Sequence, residues 1–366
     1  MNELIPVTLL TGFLGSGKTT ILNQLVGHDC MRRSLVIINE FGDIALDHLL
    51  VSHSEEELVI EMDSGCVCCT VRQDLASTMK EVLWRFSRDG ERQFDRVVIE
   101  TTGLADPTPI LHTLITSRTL ANHYKLDGIV TVVDAAAGNI TLDNHQEAIK
   151  QAAFADKLLV TKADLASTDE LDTLSARLKR LNPSARQVQV ASGAIDPSEI
   201  LGLGLFDAAS KSPDANRWLS QEAYTVVAAT RPGGSNPLAA MGRPVPGPTR
   251  HDDRIRSFCY VVEAPMAPDT FDIWLSSIME LMGQKMLRVK GIVNVKGASA
   301  PYVIHGVQHI FHPPFMLDQW PSDDHRTRIV FITQDVGPKI IDDVFQQADL
   351  MNGATAVAPP VHRTAP

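Results

Sequence analysis

Near the amino terminus, Gly12-Phe13-Leu14-Gly15-Ser16-Gly17-Lys18-Thr19 has the spacing GxxxxGK[ST]. That pattern gathers phosphate. Glycines let backbone N–H groups converge on phosphoryl oxygens, and a helix starting at the loop's end adds the positive end of its dipole. Gly12, Gly15, Ser16, Gly17 and Thr20 would line the phosphates. Lys18 would reach the β- and γ-phosphates, and the Thr19 hydroxyl would ligate Mg²⁺. The context is the one this chemistry needs: an apolar run, Val7–Leu10, precedes the loop, and Ile21, Leu22, Leu25 and Val26 follow at helical spacing.

Two further apolar runs end in residues suited to the same ligand. Val97-Val98-Ile99 leads into Glu100-Thr101-Thr102-Gly103. Glu100 would hold Mg²⁺ through water, and the Gly103 amide would face the γ-phosphate. Leu158-Leu159-Val160 leads into Thr161-Lys162-Ala163-Asp164. A carboxylate at Asp164 accepts both the N1–H and the exocyclic amine of guanine, whereas adenine leaves it unpaired. The Lys162 stem would lie along the base face. A run at Gln187–Ala191 then delivers Ser192-Gly193 for a backbone contact to the base.

Sulfur chemistry is concentrated in one place. Of five cysteines, three fall in Gly65-Cys66-Val67-Cys68-Cys69. An odd count so clustered is no disulfide framework and reads as metal or redox chemistry in a reducing compartment. Cys66 and Cys68 can point the same way from extended backbone, and Cys69 can wrap round to complete three thiolates. Zn²⁺ wants four ligands, so one position stays open or takes a movable group, which suits a site that releases its metal. Co²⁺ and Cu(I) also accept thiolates. The plain alternative is a redox or merely buried cluster. Asn39-Glu40-Phe41-Gly42-Asp43 should form a switch loop, in which Glu40 or Asp43 positions the attacking water or contributes a metal ligand. His305, His309 and His312 fit an ordinary strand and turn, and Cys30 and Cys259 read as packing residues.

The elements that must position these groups follow from hydrophobic patterning. Residues 1–206 alternate short buried runs (Ser34–Ile38 and Ile129–Val133 among them) with helical stretches, predicting an α/β fold: a mostly parallel P-loop NTPase sheet flanked by helices. Ligands on such sheets bind at the strands' carboxyl ends, where the motifs fall. Residues 207–253 are dense in Pro and Gly and read as a linker. Residues 254–353 predict a smaller α+β domain. Its strands are expected at Arg256–Val262, Leu287–Val295, Tyr302–Phe311 and Ile329–Thr333, with a helix capped by Asp269 and a closing helix at Lys339–Leu350. Residues 354–366 read as a disordered tail. The 366-residue chain carries a formal charge of -11, which opposes nucleic-acid or membrane partners. No run reaches the ~20 apolar residues of a membrane span, and Ile5–Leu10 reads as a strand rather than a leader, so a cytoplasmic protein is expected.

Together these residues resemble the CobW-type family of metallocentre GTPases, relatives of the urease and hydrogenase nickel-insertion GTPases. The resemblance is carried by Thr11–Thr20 (TGFLGSGKTT), Asn39–Gly42 (NEFG), Gly65–Cys69 (GCVCC), Glu100–Gly103 (ETTG) and Thr161–Asp164 (TKAD), and in the second domain by Leu287–Val295, Val303–Pro314 and Ser322–Thr333. It implies a GTPase with GTP and Mg²⁺ at the loop and Zn²⁺ or a related ion on Cys66, Cys68 and Cys69, coupling GTP turnover to delivery into a client metalloprotein. Two departures stand out. Position 161 is Thr where the guanine motif commonly has Asn, and the linker lacks the histidine-rich stretch of many members. A regulatory switch acting through protein complexes is the competing expectation. A small-molecule kinase is a third, against which the guanine preference counts.

Overall fold

The computed structural model describes residues 4–41, 59–64, 70–89, 91–191, 193–203, 224–229 and 254–355. They divide into two compact units, 4–203 in one and the remainder in the other.

The first unit is a seven-stranded sheet in the order β3-β2-β4-β1-β5-β6-β7. The strands are β1 (Ile5–Gly12), β2 (Ser34–Phe41), β3 (Val59–Ser64), β4 (Arg96–Thr101), β5 (Tyr124–Asp134), β6 (Lys157–Thr161) and β7 (Arg186–Val190). Every pairing is parallel. Strands buried on both faces must be apolar throughout, which is why they read as continuous hydrophobic runs. From β1 the chain builds one side of the sheet through β2, β3 and β4. It then crosses β1 and builds the other side through β5, β6 and β7. The order reverses at β1, and a crevice for ligand opens beyond its carboxyl end.

Helix α1 (Lys18–Val26) follows β1 and buries Ile21, Leu22 and Leu25 against Leu10, Val36, Val98, Val130, Val132 and Leu159. Helix α2 (Thr70–Arg85) precedes β4, α3 (Thr108–Thr116) follows it, and α4 (Gly138–Asn144) and α5 (Gln146–Phe154) link β5 to β6. Helix α6 (Thr168–Leu181) starts at a capping box in which the Ser167 hydroxyl and the Glu170 carboxylate satisfy each other's backbone N–H groups. Just beyond α6, the fully buried Asn182 donates from Nδ2 to the carbonyls of Ala152, Ala153 and Ala155 at 3.0, 3.1 and 2.8 Å. These carbonyls lie at the carboxyl end of α5, where intrahelical donors run out; Ala152 also accepts the Ala155 N–H at 3.4 Å.

In the second unit a mostly antiparallel sheet, β8-β9-β14-β10-β11-β12, packs against two helices. Its strands are β8 (Thr225–Ala228), β9 (Ile255–Val262), β10 (Met286–Val293), β11 (Tyr302–Val307), β12 (Ile310–Phe311), β13 (Phe315–Met316) and β14 (Thr327–Gln334). Helices α7 (Pro268–Met282) and α8 (Pro338–Thr355) bury Phe271, Trp274, Ile278, Ile341 and Phe345 against Phe258, Tyr260, Ile304 and Phe331.

Several details differ from the sequence reading. β3, just before the cysteine cluster, was not expected. The stretch read as linker contributes β8, which pairs in parallel with Phe258–Val261. Tyr302–Phe311 is a hairpin rather than one strand: the chain reverses after Val307 through Gln308, whose φ of 52° breaks extended backbone. Asp269 lies in the first turn of α7, whose N-cap is Ala267, because Pro268 with its fixed φ opens the helix. Cys259 is buried as expected, but Cys30 is exposed in a short 3₁₀ turn and packs no core. Among the described residues no helix is long and apolar enough to cross a membrane.

Removing the amide of Asn182 takes a donor from three carbonyls, of which Ala152 keeps the Ala155 N–H. Asn182→Ala should therefore lower stability by about 2–4 kcal/mol, read as a shifted urea midpoint at unchanged slope.

Candidate functional site

The carboxyl ends of the central strands are level with one another. Leu10 of β1 is in register with Glu100 of β4, Gly12 with Val132 of β5, and Asp134 with Thr161 of β6. The loop leaving β1 therefore meets groups from three neighbouring strands.

Gly17 is the N-cap of α1 with φ 96°, a left-handed conformation that a side chain resists, and no side chain caps the helix. The first-turn N–H groups are left for an anion. Lys18 opens the helix and is only 8% exposed. Its Nζ donates to the carbonyls of Gly12 and Phe13 at 2.9 and 3.1 Å. Burial lowers the ammonium's pKa, and the Glu100 carboxylate works in the opposite direction. A triphosphate in the loop would add the negative charge this cation lacks. The Ser16 hydroxyl is buried with no hydrogen-bond partner among the described residues, an atom that a phosphoryl oxygen would satisfy.

Beside the lysine, the Thr19 hydroxyl donates to Glu100 Oε1 at 3.1 Å. A hydroxyl and a buried carboxylate set next to a phosphate loop are the hard oxygen donors Mg²⁺ takes, so the residues present fit that ion. On the same strand end, Thr101 donates to the Thr11 hydroxyl at 2.8 Å and locks β4 to β1. Gly103 then passes so close to the phosphate loop that a Cβ there would lie 2.5 Å from the Leu14 nitrogen. Any larger residue would push the two loops apart.

The base-side motif is tied to the same loop. Thr161 Oγ1 donates to the Ser16 carbonyl at 2.6 Å, so the threonine at this position fastens β6 to the phosphate loop. Lys162 is left-handed (φ 55°), and its Nζ reaches back to the Gly15 carbonyl and to Asp134 Oδ2, both at 2.7 Å. Asp164 stands exposed in the turn Ala163–Leu165, open to a base. After β7 the chain returns to α1 at Gly193, against Thr20 and Gln24.

The structure thus brings together Gly12–Thr20, Glu100, Gly103 and Thr161–Asp164. Cys66, Cys68, Cys69, Asp43 and Ser192 lie outside the described residues, and of Glu40 only its place in β2 is described. His305 is buried, and Lys290 and Arg288 reinforce the burial that keeps its ring from protonating. His312 meets it edge to face and His309 is exposed. Sequence reasoning missed Asp134, which also accepts N–H groups of Ala136 and Ala137 at 2.8 and 3.1 Å. The signal was present: like Glu100, it is an acid closing a buried strand.

A parallel sheet with a phosphate loop at its switch point, and a TKAD strand end fastened to that loop, defines a P-loop GTPase. The chain belongs to the CobW/HypB/UreG family: the family's nucleotide-binding domain matches residues 6–189, and the cobalamin synthesis protein cobW C-terminal domain matches residues 255–349. Among its relatives, the zinc chaperone YjiA of Escherichia coli is 31% identical, with 90% of this chain and 93% of the relative aligned. The zinc chaperone CobW of Pseudomonas aeruginosa is 31% identical, over 94% of this chain and 91% of the relative. The zinc-regulated GTPase metalloprotein activator 1 of Dictyostelium discoideum is 29% identical, over 90% and 76%. The crystal structure of Zn(II)-bound YjiA GTPase from E. coli shares the fold with a TM-score of 0.66 at 24% identity, covering 95% of this chain and 99% of that one.

Lys18→Ala should reduce GTP turnover to background, measured as phosphate release at saturating GTP. Asp164→Asn would take away the charge of the carboxylate expected to accept two hydrogen bonds from guanine, and should weaken GTP by about 10- to 100-fold. It should also raise affinity for xanthosine triphosphate, whose extra carbonyl the new amide can donate to. Calorimetry with both nucleotides checks this.

Proposed function

We propose that this GTPase is a metallochaperone that carries Zn²⁺, with Co²⁺ as the related alternative, on Cys66, Cys68 and Cys69, and passes it to a client metalloprotein under control of the bound nucleotide. The observation that carries this reading is the pairing of β2 with β3. The two strands are parallel neighbours, with Glu40 in register with Asp63 and Phe41 with Ser64. Of the segment expected to be a switch loop, Asn39, Glu40 and Phe41 are instead the last residues of β2, since the apolar strand runs on through them, and only Gly42 and Asp43 follow it. The cysteine motif begins at Gly65, directly after β3 ends. Both therefore set out from adjacent positions at the carboxyl end of the sheet, the end at which the phosphate loop leaves β1. The names of the relatives add support: the Escherichia coli and Pseudomonas aeruginosa proteins are both called zinc chaperones.

In this reading the chain's own groups divide the work. The α1 amide groups and Lys18 hold the β- and γ-phosphates, and Asp164 selects guanine. Thr19 and Glu100 would hold Mg²⁺, which supplies positive charge to the phosphoryl oxygens. The Gly103 amide senses the γ-phosphate. Glu40 at the end of β2, or Asp43 beyond it, orients the attacking water or lends a ligand to the metal. Nucleotide state and metal affinity are then coupled because one switch segment serves both, and by linkage the coupling runs in both directions.

The test is Zn²⁺ affinity, by competition with a chromophoric chelator, for protein holding a non-hydrolysable GTP analogue, GDP or no nucleotide. A difference of about tenfold between the analogue and GDP forms is expected from typical coupling energies. Cys66→Ser should weaken Zn²⁺ in every state and leave GTP affinity unchanged. Identical Zn²⁺ affinities in all three states would sink the coupling, and full-strength binding by a variant lacking all three thiols would move the metal elsewhere.

A further inference from the structure

Helix α5 holds the loop after β4 through one side chain that neither the motifs nor the nucleotide contacts account for. Gln151 is 1% exposed. Its Nε2 donates to the Gly103 carbonyl at 3.2 Å and to the Ala105 carbonyl at 3.0 Å. Both partners are acceptors, so the amide must present its NH₂ end to them. The other end, Oε1, is buried with no hydrogen-bond partner among the described residues. The side chain is thus held polar-end first by the loop alone, at the cost of an unmatched acceptor.

The platform behind it is fixed at several points. Thr131 of β5 donates from its hydroxyl to the Gln151 carbonyl at 2.8 Å. Asn182 clamps the carbonyls of Ala152, Ala153 and Ala155 directly after it. At the start of α5, the N-cap His145 stacks on Phe13 of the phosphate loop with ring centroids 4.4 Å apart. Next to Gln151, Lys150 lies 3.7 Å from Asp106. Within the loop, the Ala105 N–H donates to the Thr102 carbonyl at 3.1 Å and the Thr108 N–H to Asp106 Oδ1 at 2.9 Å. One rigid helix therefore grips both the phosphate loop and the turn that carries Gly103.

We infer that Gln151 is a positioning residue for GTP turnover: by pinning the carbonyls of Gly103 and Ala105 it fixes the peptides that follow the Gly103 amide, and so limits how far the chain at Gly103 can turn that amide away from the γ-phosphate. The inference rests on the reading of Gly103 as γ-phosphate sensor. It sets Gln151 apart from a packing residue, because a GDP complex, which lacks that phosphate, should be indifferent to it.

Gln151→Met keeps the volume and apolar stem and removes the donor. Gln151→Glu keeps the shape and turns a carboxylate oxygen on two carbonyls. Both variants of the full chain would be compared with wild type for GDP affinity, affinity for a non-hydrolysable GTP analogue, kcat, KM, and amide hydrogen exchange across residues 102–106. For Gln151→Met the expectation is GDP affinity within about twofold, with analogue affinity and kcat each lower by about tenfold. Gln151→Glu should be worse in the last two. In wild type the analogue should protect residues 102–106 relative to GDP, and in Gln151→Met that difference should vanish. Retained kcat and retained analogue protection in Gln151→Met would overturn the role while leaving the Gly103 reading intact. Equal weakening of GDP and analogue, with a lower melting temperature, would overturn it in favour of packing. Wild-type protein whose residues 102–106 do not distinguish analogue from GDP would remove the sensor reading itself.

Discussion

Burying the Lys18 ammonium is unfavourable unless oxygen atoms surround it, and much of the first unit is arranged to bring them. Two are carbonyls of the loop itself, and the Glu100 carboxylate comes from the next strand. That strand can be next only because the sheet reverses direction at β1, which leaves β4 and β5 as its neighbours. The same reversal opens the crevice in which a triphosphate fits. The cost of desolvating one cation and the location of the site are thus consequences of a single topological choice. The bonds from Thr161 to the Ser16 carbonyl and from Lys162 to the Gly15 carbonyl extend the arrangement, so that the phosphate loop is fastened to the base-reading strand.

This fastening explains how a threonine can stand where an asparagine is usual in a guanine motif. A side chain there that must reach the phosphate loop needs one donor at short range, and the Thr161 hydroxyl, 5% exposed at the end of β6, supplies it. A β-branched residue also suits the strand it closes. What a hydroxyl cannot do is present a second donor and an acceptor further out. In the proposed function base selection would accordingly fall to Asp164, which the turn after β6 leaves exposed.

The parts legible in the sequence were those in which residue type is dictated by chemistry at short range. GxxxxGKT, ETTG and TKAD each sit within a few residues of a strand end, and an apolar run followed by an acid or a glycine announces that geometry. Asp134 obeyed the same rule and was passed over because no familiar motif surrounds it. Gln151 could not be found that way. It lies mid-helix on α5, and its partners, Gly103 and Ala105, are nearly fifty positions earlier in the chain and engage it only through backbone carbonyls that carry no sequence signal. The second unit shows the same limit. Tyr302–Phe311 reads as one strand, but the reversal at Gln308 depends on a left-handed residue that is not glycine, so the turn was invisible until the register of Gly306 with Phe311 was known. β8 was hidden by its surroundings, four residues of strand within a stretch dominated by proline and glycine.

The neighbouring ends of β2 and β3 bear on how metal and nucleotide states can be linked without a long pathway. Coupling between two sites requires an element whose arrangement both ligands bias. Where the sites are far apart, that element must be a chain of packed groups with two alternative states. Here the segments concerned leave adjacent parallel strands whose ends are in register. Strands at that spacing lie ~5 Å apart, so in the proposed function a displacement of one segment by a nucleotide would have only a short distance to act over. A crowded thiolate set with one ligand position to share is the kind of site such a displacement can open, because gaining or losing a single oxygen ligand changes zinc affinity far more than it would in a site closed by four fixed thiolates. In the proposed function, proximity at the carboxyl end of the sheet and an incomplete ligand set would therefore be complementary halves of one device. A rigid, self-sufficient metal site placed there would gain nothing from its position beside the switch.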